Sequence, residues 1–206
     1  VNGIYIHADL ADMDSTRKLA TEALDLFGTI DILVNNAGFQ HVPPVDEFPE
    51  TLWAKVIQVM LVAPFQLTKY ALPGMKESGW GRIINLSSIH GLVASPYKSA
   101  YNSAKHGLIG FTKTVALEVG EFGITANAIC PGYTRTPLVQ AQVADQAKNS
   151  DLSEDEVISK IMLEPAAIKR LIEPTEVADL AVFLASDSAR SITGSAYSID
   201  LGWVAR

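Results

Sequence analysis

Tyr101 and Lys105 lie four residues apart in a stretch with helical apolar spacing, so their side chains share one face. A tyrosine hydroxyl ordinarily titrates near ~10, too high for easy proton exchange at neutral pH. An ammonium beside it favours the phenolate, which makes the pair a usable acid or base. Ser88, thirteen residues earlier, closes a predicted strand, and its hydroxyl can hydrogen-bond a carbonyl oxygen. Together Ser88, Tyr101 and Lys105 can polarise a C=O group and exchange its proton as hydride moves at carbon. A Tyr-x-x-x-Lys pair recurs by chance, and the company it keeps singles this one out. Asn35-Asn36-Ala37-Gly38 closes one predicted strand, and Pro131-Gly132, with Thr136 behind it, closes another. These positions fall at the carboxyl ends of strands, where open α/β sheets bind ligands.

The elements that must carry these residues alternate along the chain. Strands are predicted over 3–7, 30–34, 82–86, 124–129 and 196–199, and helices over 15–27, 51–76, 100–122 and 175–186. Such alternation specifies an α/β fold, a Rossmann-like doubly wound parallel sheet with helices on both faces. Residues 1–206 read as one domain, without internal repeat or linker. The polar stretch 136–171 contains Pro137 and Pro165 and encloses a weakly amphipathic segment, 153–163. As a long excursion after a strand, it reads as a lid over the substrate site.

Composition removes several function classes. Hydrophobic residues make up 48% and charged residues 19%, which specifies a globular rather than a disordered chain. A net charge of −7 argues against nucleic-acid binding, which calls for a basic face. One cysteine, Cys130, leaves neither an internal disulfide nor the usual zinc ligand set, so no metal is expected. No uninterrupted apolar run approaches the ~20 residues of a membrane helix, and no charged-then-apolar leader opens the chain. The expectation is a cytoplasmic protein without membrane partners.

Along nearly its whole length the chain resembles the classical short-chain dehydrogenase/reductase family. The resemblance implies an NAD-dependent oxidoreductase with Ser88, Tyr101 and Lys105 catalytic. It implies cofactor contacts from Asp9, Asn35, Ala37, Gly38, Tyr101, Lys105, Pro131, Gly132 and Thr136, with the Asn-Asn-Ala-Gly run also stabilising the sheet. The segments 39–41, 88–93, 136–142 and Gly202-Trp203, with Lys98, resemble the branch of the family that interconverts D-3-hydroxybutyrate and acetoacetate. In that branch the carboxylate of a small keto acid is held by side chains that fall here on Gln40, His90, Lys98 and Gln142. Ser88 and Tyr101 meet the reacting oxygen, and Trp203 forms an apolar wall. Lys98 supplies a cation, and the other three donate hydrogen bonds, which are strong when the acceptor is charged. The resemblance further implies a homotetramer, with helices 51–76 and 100–122 in one interface.

Departures from the family pattern matter. No Gly-x-x-x-Gly-x-Gly segment occurs, so the βαβ unit whose helix N-terminus receives the cofactor pyrophosphate is expected to be missing. Strand 3–7 would then lack a neighbour, and 30–34 would become an apolar edge. Met60 stands where the family places an Asn that supports a water-linked proton path. Tyr133 replaces a pocket Trp. Leu201 replaces a Gly, so a left-handed backbone there would be strained.

Two other readings use the same residues. A cofactor-independent serine hydrolase would employ Ser88 as nucleophile with Tyr101 and Lys105, although no Gly-x-Ser-x-Gly elbow is present. An inactive family member could serve as an assembly partner.

Overall fold

Ile83 and Ile84 are adjacent, and each is buried on an opposite face of one sheet. Ile83 packs with Ala71, Met75, Val115 and Val119, while Ile84 packs with Ile129, Leu184 and Ala189. Burial on both sides is the pattern of a parallel sheet covered twice. The computed structural model of the chain describes residues 3–150 and 152–205. Its strands are β1 (Ile32–Asn35), β2 (Gly81–Leu86), β3 (Ile124–Pro131) and β4 (Ala196–Ile199), paired in that order and all parallel.

Helices fill the crossovers. α1 (Met13–Phe27) starts on Asp12, whose carboxylate accepts the Asp14 and Ser15 amides, and it stops at Gly28. α2 (Glu50–Ile57) runs through a π-turn, Gln58–Val62, into α3 (Ala63–Ser78). α4 (Ser99–Val119) crosses between β2 and β3, α5 (Pro137–Ser150) and α6 (Glu154–Glu156) follow β3, and α7 (Pro174–Ala185) precedes β4. The α3–α4 side buries Ile83, Ile124 and Ala126, and α7 covers Ile84 and Ile129.

Two glycines set the level of the site. Gly79 ends α3 at φ 67°, and Gly123, at φ 70°, launches β3. A Cβ on Gly123 would stand 2.4 Å from the Gly79 carbonyl oxygen, so the two turns pack back to back. β2 and β3 thus start side by side, Gly81 opposite Ile124, and carry Ser88 and Gly132 to the same end of the sheet.

One expectation needs correction. Residues 3–7 form no strand, because no neighbouring strand is there to complete their hydrogen bonds, and Ile4 and Tyr5 are exposed. The continuous helix Glu50–Ser78 is long and apolar enough to cross a membrane. Here it is a core helix, burying Val56, Met60, Ala71 and Met75 along with polar Gln66 and Thr68. The apolar edge does form: Ile32 and Val34 of β1 are 46% and 48% exposed.

The segment 136–171 holds its own small core of Val139, Val143, Val157, Met162, Leu163 and Leu171, joined by Tyr133, Leu201 and Trp203. A bridge from Thr134 to Ile172 closes its base.

Candidate active site

Ser88 follows the end of β2 and caps a short 3-10 turn, its Oγ accepting the His90 amide at 3.1 Å. Neighbouring Ser87 donates to the Lys105 carbonyl at 3.0 Å, which fixes this turn against α4. Tyr101 and Lys105 project from the first turns of α4, as their spacing requires. The Lys105 Nζ donates to the Leu86 carbonyl and lies 5.6 Å from the Tyr101 ring centre. Burial pulls the Lys105 ammonium down to about 8.

The electrostatics of Tyr101 differ from the simple expectation. Burial raises its pKa, and the hydrogen bond with Ser88 is what opposes that rise. The ammonium stands over the ring rather than at the hydroxyl, so Ser88 carries the lowering role expected of Lys105.

A cavity of about 360 Å³ opens beside these groups, walled by Asn36, Gly38, Pro131, Gly132, Thr136 and Val177 with Ser88, Tyr101 and Lys105. Its walls come from the carboxyl ends of β1, β2 and β3, the predicted place for a cofactor. Gly38 must be small: a Cβ there would lie 3.0 Å from the Met60 Sδ and 3.9 Å from the Lys105 Nζ. Met60 itself is buried within the π-turn, a helix irregularity frequent at functional sites.

A second cavity, about 50 Å³, lies across Ser88 and Tyr101 from the first. Gln40, His90, Lys98, Tyr133 and Gln142 enclose it. Lys98 is only 7% exposed, and burial lowers its pKa to about 8. His90, depressed to about 3 chiefly by burial and then by Lys98, is neutral, with Nε2 2.8 Å from the Ser95 hydroxyl. The far end of this cavity therefore carries one cation and several neutral hydrogen-bonding groups.

Not every expected residue reaches the walls of these two cavities. Asn35 donates to Asn85 at 2.8 Å, and Asn85 donates to Thr112 at 2.8 Å, so Asn35 ties β1 to β2 and α4. Ala37 lies outside both walls, and exposed Asp9 uses its carboxylate to accept the Ala11 amide. Trp203 stands behind His90, ring centres 6.0 Å apart, and donates to the Met162 carbonyl at 3.1 Å. It braces the pocket from outside instead of lining it. Leu138 and Val139, which face both cavities, were not singled out by sequence, since apolar residues on a weakly periodic helix carry no chemical signal. Among the described residues no group of three His, Cys, Asp or Glu could hold a metal ion.

A parallel sheet with a Ser–Tyr–Lys group at its strand ends defines a class, and the comparisons agree. The profile of a family described as enoyl-(acyl carrier protein) reductase matches residues 1–204. The chain belongs to the short-chain dehydrogenase/reductase family. It is 48% identical to a D-beta-hydroxybutyrate dehydrogenase of Rhizobium meliloti, covering 100% of this chain and 80% of that protein. A D-beta-hydroxybutyrate dehydrogenase of Cupriavidus necator is 46% identical, over 98% of this chain and 78% of the relative. Among solved structures, a 4-hydroxyisoleucine dehydrogenase complexed with NADH superposes with a TM-score of 0.81 at 34% identity, covering 98% of this chain and 81% of that one.

Proposed function

We propose that the chain is an NAD-dependent oxidoreductase interconverting D-3-hydroxybutyrate, or a close small 3-hydroxy acid, with acetoacetate. The observation that carries this reading is the shared wall. Ser88 and Tyr101 line both the larger cavity and the small one, whose far end carries Lys98, His90 and the two glutamines. The chain's residues fit the nicotinamide half of the cofactor: Gly38 leaves room beside Lys105, and Pro131, Gly132 and Thr136 form the opposite wall. When bound there, NAD supplies hydride acceptance from C3 of the acid. Tyr101 takes the alcohol proton, Ser88 holds the same oxygen, and Lys105 stands beneath the Tyr101 ring as the next proton carrier. Lys98 and the glutamine amides hold the carboxylate.

A hydrolase reading gains less support, because Lys105 donates to the Leu86 carbonyl and, among the described residues, no base is directed at Ser88 except Tyr101. Names of the relatives and the intact pocket likewise favour an active enzyme over an inactive partner. We further propose that segment 136–171 is the substrate lid, with α5 contributing Leu138, Val139 and Gln142. We also propose a homotetramer in the cytoplasm, joined through α3 and α4, where Phe65 and Leu117 are exposed. Light scattering of the purified protein tests the assembly.

The direct test is NADH formation by the purified chain with D-3-hydroxybutyrate. Turnover is expected, and Tyr101→Phe is expected to lower kcat by roughly 10²–10⁴-fold, the usual contribution of a general acid–base. Absence of NAD reduction by the unaltered protein would reject the reading.

A further inference from the structure

Asp200, Leu201, Gly202 and Trp203 make the turn that follows β4, and their groups reach in two directions. Toward segment 136–171, the Leu201 carbonyl accepts the Ala167 and Ile168 amides at 2.8 and 3.1 Å. The Trp203 indole donates to the Met162 carbonyl at 3.1 Å. A Cβ on Gly202 would stand 2.9 Å from the Ala167 Cβ, so turn and segment are in close approach. Toward the site, the Trp203 ring lies 6.0 Å from the His90 ring at an interplanar angle of 51°. The turn itself is braced, because the Asp200 carboxylate accepts the Gly202 and Val204 amides at 3.1 and 2.9 Å.

The His90 ring is pinned at one edge. Its Nε2 lies 2.8 Å from the Ser95 hydroxyl, which fixes that atom and leaves the tilt of the imidazole open. The tilt is set by three ring contacts, with Tyr101 and Tyr133 near perpendicular at 6.2 and 6.3 Å and Trp203 as the third. Tyr101 is carried by α4, and Tyr133 by the base of the segment, where its carbonyl accepts the Ile172 amide at 2.9 Å. Trp203 differs from both: its own ring nitrogen is tied to the segment, at Met162.

We propose that Trp203 is a positioning residue that carries the docking of residues 157–168 to the reaction chamber through His90. While the Met162 carbonyl is in place, the indole is held by its N–H and rests against the imidazole. Undocking removes that acceptor and frees the indole. It thereby releases the tilt of a ring that lines the small cavity and packs against Tyr101. The chamber is complete only while the segment is docked. The kinetic consequence rests on the dehydrogenase reading above, whereas the link from Met162 to His90 is a property of the fold.

The test uses Trp203→Phe, which keeps a ring and loses the N–H donor, and Trp203→Leu, which loses both. Hydrogen exchange of 157–168 reads docking, and NMR relaxation dispersion of the His90 ring reads its motion. The unaltered protein should exchange slowly there and show no dispersion. Trp203→Phe should speed exchange by about 3–10-fold, the loss of one ordinary hydrogen bond, and should make the His90 ring disperse. With D-3-hydroxybutyrate and NAD, both variants should lower kcat/KM by about tenfold, more through KM than through kcat. Faster exchange with a quiet His90 ring would overturn the inference, and so would unchanged exchange. A second measurement needs no variant: in urea below global unfolding, exchange of 157–168 and His90 dispersion should begin together. Dispersion that begins while 157–168 stays protected would also overturn it. Absence of NAD reduction by the unaltered protein would bring down the dehydrogenase reading and leave the exchange and NMR results to decide the link.

Discussion

The Lys105 ammonium donates to the Leu86 carbonyl at 2.6 Å, so the lysine that stands under Tyr101 also stitches α4 to the last residue of β2. It is 4% exposed, and burial lowers its pKa from 10.5 to about 8. The folded chain therefore binds the proton less well than the unfolded chain does between those values. Stability from this group is complete above about pH 10.5 and absent below about 8, a swing of roughly 3 kcal/mol. The difference in urea unfolding free energy between the natural protein and Lys105→Met should widen in favour of the natural protein across that window. A flat difference would mean that the carbonyl bond keeps the ammonium charged.

Lys98 titrates where an assay can follow it. Its pKa of about 8 is set by burial, and the neighbours facing it, His90 and Tyr133, carry no charge near neutrality. On the proposed function, KM for the acid should be level below pH 8 and then climb, approaching ~10-fold per unit as the ammonium is lost. Lys98→Arg should abolish the climb, and Lys98→Met should give a high KM at every pH. A KM independent of pH in the natural protein would remove Lys98 from carboxylate binding.

Leu201 occupies the left-handed region at φ 58°, its carbonyl accepting the Ala167 and Ile168 amides at 2.8 and 3.1 Å. Its side chain joins the core of segment 136–171. Two opposing terms are separable. Leu201→Ala keeps most of the strain and loses the packing, whereas Leu201→Gly also releases the strain, about 1–2 kcal/mol. The glycine variant should therefore be the more stable of the two by about 1 kcal/mol, the reverse of the usual order. Both should speed hydrogen exchange in 157–171, and unchanged exchange there would argue that Leu201 does not hold the segment.

The Asn35–Asn85–Thr112 chain is buried, and each link is 2.8 Å or less from donor to acceptor, ending on the Leu108 carbonyl at 2.7 Å. Asn85→Leu strands the Asn35 amide and should cost about 2–4 kcal/mol, against about 1 for Thr112→Val. Thermal unfolding of the two variants checks the order.

How far the site could be read in advance depends on what kind of information each residue carries. Tyr101 and Lys105 were legible because helix periodicity alone places them on one face, and Ser88 because it ends an apolar strand. The Gln40–Gln142 bond joins residues 102 apart, so their pairing was not legible, although each had been marked for the pocket. Trp203 was expected on the pocket wall. The turn at Leu201 and Gly202 sends its indole to the Met162 carbonyl, a consequence of backbone angles that residue types do not display. Residues 3–7 have strand composition but no partner, and a strand exists only as a pair. The direction of the Tyr101 shift does not follow from residue types for a similar reason: burial outweighs the Ser88 hydrogen bond that opposes it, and burial emerges only on folding.

The wall shared by the two inner cavities carries one more implication. On the proposed function, a ligand whose carboxylate meets Lys98, whose oxygen meets Ser88 and Tyr101, and whose hydrogen leaves toward the larger cavity is held along three directions at once. Such a frame has a handedness. The mirror-image acid could match any two of the directions but never all three, so enantiomer selection needs no steric clash. It is built into the placement of two cavities on opposite sides of one tyrosine.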